Sequence, residues 1–140
     1  MLILPIQWDK SMASGVAEID KQHKELIKWL NRLVAAMAEG KGTAEIEEVL
    51  LFISQYADRH FCDEEEYMEK YDCPVAVANK QAHARFMQNF NELNERFQRE
   101  GASDALVITI QKNLSDWLVR HIRRIDTGLY PCVMKKDASQ

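Results

Sequence analysis

The sequence has few residues that interrupt helices. It contains only five glycines and three prolines among 140 residues. Most of them fall between long stretches whose apolar residues recur with a period near 3.6, at Gly40, Gly42, Pro74, Gly101, Gly128 and Pro131. No stretch alternates apolar and polar residues in the way that predicts a strand. The sequence therefore disfavours a β-rich fold and favours helices joined by short connections.

The chain also lacks the features of nucleic-acid-binding, membrane and secreted proteins. Its 18 basic and 22 acidic residues give a net charge of -4, which leaves no basic footprint for nucleic acid or anionic lipid. No apolar run approaches the roughly 20 residues of a membrane span, and the apolar N-terminus lacks the pattern of a signal peptide. Three cysteines, an odd number without paired spacing, predict reduced thiols. We therefore expect a cytoplasmic single domain over residues 1–140.

Four segments with helical periodicity predict an all-α fold. Because the connections between them are short, neighbouring helices must run antiparallel, which predicts an up-down-up-down four-helix bundle. An N-terminal arm would pack across the bundle, and residues 135–140 read as a frayed tail. No second apolar face predicts association, so we expect a monomer. The predicted boundaries are an arm over residues 1–18 and helices over about residues 19–39, 44–72, 75–99 and 104–127.

All four histidines fall on the predicted buried stripes of these helices: His23, His60, His83 and His121. A single histidine on such a stripe is usually an ordinary core residue that has found a partner. Four of them, with Glu64 four residues after His60, are better explained by a shared ligand. The antiparallel arrangement brings all four to one end of the bundle. Imidazoles and carboxylates that converge from four helices predict a transition-metal site.

Asp126 is a further candidate ligand, but its spacing from His121 is awkward. Five residues turn two side chains about 140° apart on a regular helix. For both to reach one metal, the last turn must widen, bend or end between residues 121 and 126. Among the neighbouring acidic residues at 63–66, only Glu64 is predicted to point inward, and the others read as a solvated face.

These residues resemble the hemerythrins, and in particular the bacterial hemerythrin-like proteins. The resemblance is carried by residues 15–23, including the run IDKQH, and by residues 56–68, 74–86 and 117–130. It spans nearly the whole chain, in order. It implies a non-haem di-iron centre inside a four-helix bundle that binds dioxygen reversibly at one iron.

The resemblance also implies roles for individual residues. His23 and His60 would hold the iron whose open position receives dioxygen. Glu64 and Asp126 would bridge the two irons.

The second iron would be held by His83 and His121. The family places a third histidine four residues before the position of His83, and here that residue is Asn79. An amide oxygen is a weaker donor to ferrous iron than an imidazole is. We therefore expect looser retention of the second iron or an additional reactive position on it.

Two functions remain open at this point. The first is reversible dioxygen binding by two carboxylate-bridged irons, for storage, delivery or sensing of oxygen, with no enzymatic activity. The alternative is a redox enzyme acting on peroxide or nitric oxide. Its iron centre would have an open position because Asn79 stands where the family has a histidine ligand. A carboxylate-rich oxidase of the ferritin class is disfavoured, because its Glu-x-x-His pairs are missing.

Overall fold

The structure, a computed structural model, describes residues 5–138 and the side chains of residues 5–135. Within this range there are no strands, and four long helices pack antiparallel, as predicted. The fourth of them is built from three consecutive parts. The helices are α1 (Ala17–Ala38), α2 (Thr43–Lys70), α3 (Ala76–Glu100), and then α4 (Asp104–Ile110), a π-helical stretch (Gln111–Asp116) and α5 (Trp117–Arg124).

The apolar stripes of these helices meet in one core that fills the bundle. Phe86, Phe90 and Ile53 are among its largest side chains, and each is at most 1% exposed. Burial of a side chain of this size stabilises the fold by roughly 1.5–3 kcal/mol. The helix ends follow local sequence: the Ser103 hydroxyl accepts a hydrogen bond from the Leu106 N–H at the start of α4, as its N-cap position predicts.

The N-terminal arm packs across the bundle. Ile6 exchanges two hydrogen bonds with the Asn31 side chain on α1, at 2.9 and 2.8 Å. Met12, in a short 3₁₀ turn (Lys10–Met12), is fully buried, and Trp8 packs against the core. The predicted arm is thus confirmed for its described part, while residues 1–4 lie outside the described residues.

The C-terminal segment differs from the prediction of a frayed tail. After a 3₁₀ turn (Asp126–Gly128), helix α6 extends over Leu129–Ala138, so residues 135–138 are helical. The sequence pattern missed this helix because Gly128 and Pro131 look like helix breakers, yet proline is tolerated in the first turn of a helix. Residues 139–140 lie outside the described residues.

Helix α6 closes one end of the bundle with a second, smaller apolar cluster. Leu129 and Val133 pack there with Ile19 and Met68. Met68 lies one turn beyond Glu64 on α2. The contact with the arm is close at Gly15, whose φ is +85° and where an added Cβ would lie 2.7 Å from Tyr130 Cδ2. Within the described residues, no helix combines the length and apolar character needed to cross a membrane.

Candidate metal centre

The structure brings all six predicted ligand residues together in the interior. His23 lies on α1, and both His60 and Glu64 lie on α2. His83 lies on α3 and His121 lies in the last turn of α5. Asp126 begins the 3₁₀ turn that follows α5. None of the six is more than 5% exposed. The two carboxylates lie between the histidines and contact both pairs.

Glu64 places one oxygen toward each pair of histidines. Its Oε2 lies 2.9 Å from His23 Nε2 and 3.4 Å from His60 Nε2. Its Oε1 lies 3.2 Å from His83 Nε2. This is the arrangement that a carboxylate bridging two cations requires.

Asp126, near the C-terminus of the chain, also places one oxygen toward each half of the site. Its Oδ2 lies 3.1 Å from His23 Nε2, and its Oδ1 lies 3.0 Å from His121 Nε2. The site therefore has two halves, one with His23 and His60 and the other with His83 and His121. Each half receives one oxygen from Glu64 and one from Asp126.

The predicted break between residues 121 and 126 is confirmed. Helix α5 ends at Arg124, Ile125 caps it with φ -116° and ψ -53°, and Asp126 begins a 3₁₀ turn. This change of direction leaves Asp126 only 1% exposed. The break is a helix end, and the π-helical stretch lies earlier, at Gln111–Asp116, which the sequence pattern did not predict.

Several of the converging atoms have no hydrogen-bond partner. His60 Nε2, Glu64 Oε1 and both carboxylate oxygens of Asp126 are buried and unpaired, although other polar atoms lie 3.0–3.4 Å away. Leaving such a group unsatisfied costs roughly 1–3 kcal/mol. The short distances without hydrogen-bond geometry mean that these atoms point toward a common space rather than at one another. A cation in that space would satisfy them together, so the donor set fits a metal.

Donor distances agree with two cation positions that share Glu64. Ligand atoms of Glu64, His83, His121 and Asp126 all lie within 4.8 Å of one another, and so do those of His23, His60 and Glu64. Imidazole and carboxylate donors together suit iron and similar transition metals.

Proton equilibria at the site reflect its concentrated negative charge. Burial raises the pKa of Glu64, but contacts with His23, His60 and His83 outweigh it and hold that pKa well below the ordinary range. Burial lowers the pKa of His23, yet the carboxylates of Asp126 and Glu64 prevail and raise it to about 10. The pKa of His60 is lowered, chiefly by burial. Without metal, the centre therefore keeps a proton on His23, where a cation would replace it.

Two of the histidines have hydrogen-bond partners on their outer nitrogens that the sequence analysis missed. His60 Nδ1 lies 2.7 Å from Gln22 Oε1, and His83 Nδ1 lies 3.2 Å from Glu65 Oε2. Gln22 Nε2 in turn donates to Asp63 Oδ2 at 3.0 Å. The prediction that only Glu64 in the acidic run turns inward was therefore wrong for Asp63 and Glu65.

Helical spacing could have revealed Gln22, which lies three residues after Ile19 and four before Leu26 on the buried stripe of α1.

Aromatic side chains enclose the second half of the site. Phe61 stacks on His83 with ring centroids 3.9 Å apart, and Trp117 stacks on His121 at 4.6 Å. Phe86 contacts both of these aromatic residues. In contrast, a surface pocket of about 450 Å³ between α1 and α2 reaches Gln22 and His60. This pocket lies on the side of the first half, although His23 and His60 are each at most 1% exposed.

Asn79 lies where the second half of the site would receive another donor. It is fully buried, and its Oδ1 lies 2.8 Å from His121 Nε2. Its Nδ2 has no partner. The amide thus presents an NH2 group without an acceptor in the interior.

A four-helix bundle with two clusters of buried histidines and carboxylates defines a class of metal-binding protein. The family model described as "Hemerythrin HHE cation binding domain" matches residues 14–133, and the chain belongs to the hemerythrin family.

Individual relatives agree with this assignment. The chain is 33% identical to a bacteriohemerythrin of Pseudomonas aeruginosa (strain LESB58) over 126 residues, covering 90% of this chain and 80% of the relative. It is 36% identical to one of Stenotrophomonas maltophilia (strain R551-3) over 120 residues, covering 85% and 75%. A hemerythrin-like protein of Naegleria gruberi is 29% identical over 122 residues, covering 87% and 88%.

Proposed function

We propose that this protein binds dioxygen reversibly at a carboxylate-bridged pair of iron ions. The observation that carries the proposal is the placement of Glu64 and Asp126, each with one oxygen toward either pair of histidines. Membership of a cation-binding family supports a metal here. The resemblance to hemerythrins, which the relatives named bacteriohemerythrin share, implies iron and dioxygen as the metal and ligand.

In this proposal the six residues hold two irons with different surroundings. His23 and His60 would hold the first iron, His83 and His121 would hold the second, and Glu64 and Asp126 would each offer one oxygen to either half. Iron, when bound, would supply reversible electron transfer to dioxygen. The pocket that reaches His60 favours the first iron as the one that receives the ligand.

The protein's own contribution would be burial of the whole centre, which limits the access of water and protons. All six ligand residues are at most 5% exposed, and Phe61, Phe86 and Trp117 form a continuous aromatic wall beside the second iron. A dry apolar surrounding disfavours charge separation and proton delivery, which would otherwise turn binding into irreversible oxidation.

One observation favours a second candidate, a redox enzyme acting on peroxide or nitric oxide. The buried Nδ2 of Asn79 has no partner, and Asn79 adds no imidazole to the second iron. An open metal position beside an unused N–H donor would suit a small reactive ligand.

Optical spectroscopy of the iron-loaded protein distinguishes these functions. We expect two irons per chain and a visible absorption band that develops in air, bleaches under vacuum and returns over repeated cycles. Rapid decay of that band to a ferric spectrum, together with steady consumption of added peroxide, would instead establish the enzyme. Protein purified from iron-supplemented cells without stoichiometric metal would refute both.

A further inference from the structure

His60 is held from outside the metal centre by a chain of side chains that crosses between two helices. Its Nδ1 contacts Gln22 Oε1 at 2.7 Å, and Gln22 Nε2 donates to Asp63 Oδ2 at 3.0 Å. Gln22 on α1 is 9% exposed, whereas Asp63 on α2 is only partly buried. The chain thus begins at a carboxylate near the surface of α2, passes through α1 and returns to a buried imidazole on α2.

The chemistry of the three groups fixes the direction of every hydrogen bond. An ionised Asp63 carboxylate only accepts, so it must face the amide nitrogen of Gln22. The amide oxygen is then left for His60, and because that oxygen also only accepts, His60 Nδ1 must carry the hydrogen. In the neutral ring, Nε2 is consequently unprotonated, and its lone pair faces Glu64.

We propose that Gln22 and Asp63 are positioning residues that hold His60 in its metal-binding tautomer. This inference rests on the proposed function to the extent that it takes His60 as a metal ligand. In the other tautomer, a hydrogen on Nε2 would occupy the position of the metal. Outer partners of ligand histidines typically change metal affinity by about 10–100-fold when they are removed.

The two halves of the site differ in the charge of this outer partner. His60 is held by the neutral Gln22 amide, whereas His83 is held by the Glu65 carboxylate at 3.2 Å. A carboxylate partner makes an imidazole a stronger donor to its metal than a neutral amide does. Gln22 therefore leaves the His60 half with the weaker donor, on the side where the surface pocket approaches.

The inference is tested by the tautomer of His60 and by metal release. Nitrogen-15 NMR of the imidazoles in the metal-free protein should show His60 with its hydrogen on Nδ1. Gln22→Leu, which keeps the side chain bulky but removes the acceptor, should shift His60 toward the other tautomer and speed zinc loss to a chelator about 10–100-fold. Asp63→Asn is the milder variant, because it only frees the Gln22 amide to flip, and we expect a mixture of tautomers.

A double variant and a matched control separate positioning from general damage. Gln22→Glu combined with Asp63→Asn places the charged acceptor on His60 and lets the introduced amide donate, so it should restore the parent tautomer and slow zinc release. Glu65→Gln, which alters the partner of His83, should leave the His60 tautomer unchanged.

An unchanged His60 tautomer and zinc release rate in both Gln22→Leu and Asp63→Asn would overturn the inference. So would a double variant that behaves like Gln22→Leu. The tautomer is measured without metal, so it decides this inference even if the protein binds no iron. Failure of the proposed function would appear separately, as absent iron or absent reversible spectral change in the parent.

Discussion

Asp126 Oδ1 lies 3.0 Å from His121 Nε2, although five residues of regular helix would turn the two side chains about 140° apart. The helix end at Arg124 makes this contact possible, and the same change of direction starts the 3₁₀ turn that leads into α6. The same helix end therefore both places Asp126 at the metal centre and directs α6 across the end of the bundle.

Glu64 is expected to be indispensable for holding two metals. Glu64→Ala removes an oxygen from each half of the site while leaving the apolar core intact, so the variant should stay helical but lose the metal pair. Metal analysis and circular dichroism measure the two effects. Glu66→Ala, an exposed position in the same acidic run, is the matched control and should keep both metals. A Glu64→Ala protein with two irons and the parent spectrum would contradict its assignment as a bridge.

The bundle and the convergence of the four histidines with Glu64 could be predicted because both depend on local spacing, whereas the bridging role of Asp126 was implied by the resemblance and required a break in the helix. His23, His60 and His83 lie on apolar stripes of period 3.6, and Glu64 is one turn from His60. The π-helical stretch at Gln111–Asp116 could not be predicted, because its residues have helical character and only tertiary packing selects the wider turn.

The outer partners were missed for a related reason. Whether Asp63 and Glu65 face solvent or a neighbouring helix depends on how closely α1 and α3 approach α2. The periodicity of a single helix does not indicate these distances between helices. Helix α6 was not predicted because Gly128 and Pro131 were interpreted as helix breakers. Gly128 precedes the helix and Pro131 lies in its first turn, where proline is tolerated.

The metal-free protein should lose stability as the pH rises above neutrality. The pKa of His23 is raised from 6.5 to about 10 in the fold, so its stabilising contribution is complete below pH 6.5 and is lost as the pH rises toward 10. Metal binding displaces the same proton, so affinity should rise with pH over that range. Urea unfolding and metal titration at several pH values measure the two trends. His23→Gln is the control, and an identical alkaline loss of stability in that variant would show that another group is responsible.

The docking of α6 against the arm should depend on Gly15. Gly15→Ala places a residue with a Cβ at φ +85° and brings that Cβ within 2.7 Å of Tyr130 Cδ2. Gly40→Ala is a matched control, since its φ is +72° but no atom lies within 4 Å. A left-handed conformation costs about 1–2 kcal/mol for a residue other than glycine, and we expect Gly15→Ala to lower the free energy of unfolding by more than Gly40→Ala does. Equal losses in the two variants would show that the Tyr130 contact yields without cost.

Restoring an imidazole at Asn79 should strengthen the second half of the site. Asn79 lies one helical turn before His83, is fully buried, and already places its Oδ1 2.8 Å from His121 Nε2. A longer imidazole from this position would reach the space between His83 and His121, where a second metal would gain a third nitrogen donor. We expect Asn79→His to slow loss of that metal to a chelator by about tenfold or more, equivalent to about 1.4 kcal/mol, and to prolong the oxygenated absorption band.

Asn79→Ala separates the two roles that the amide could have. If Asn79 stabilises the second metal through its oxygen, the alanine variant should release that metal faster than the parent does. If the unpaired Nδ2 instead binds a small ligand at an open position, the alanine variant should keep its metal but lose peroxide consumption. Equal metal retention and equal band lifetimes in the parent and Asn79→His would show that the second metal has no use for a third imidazole.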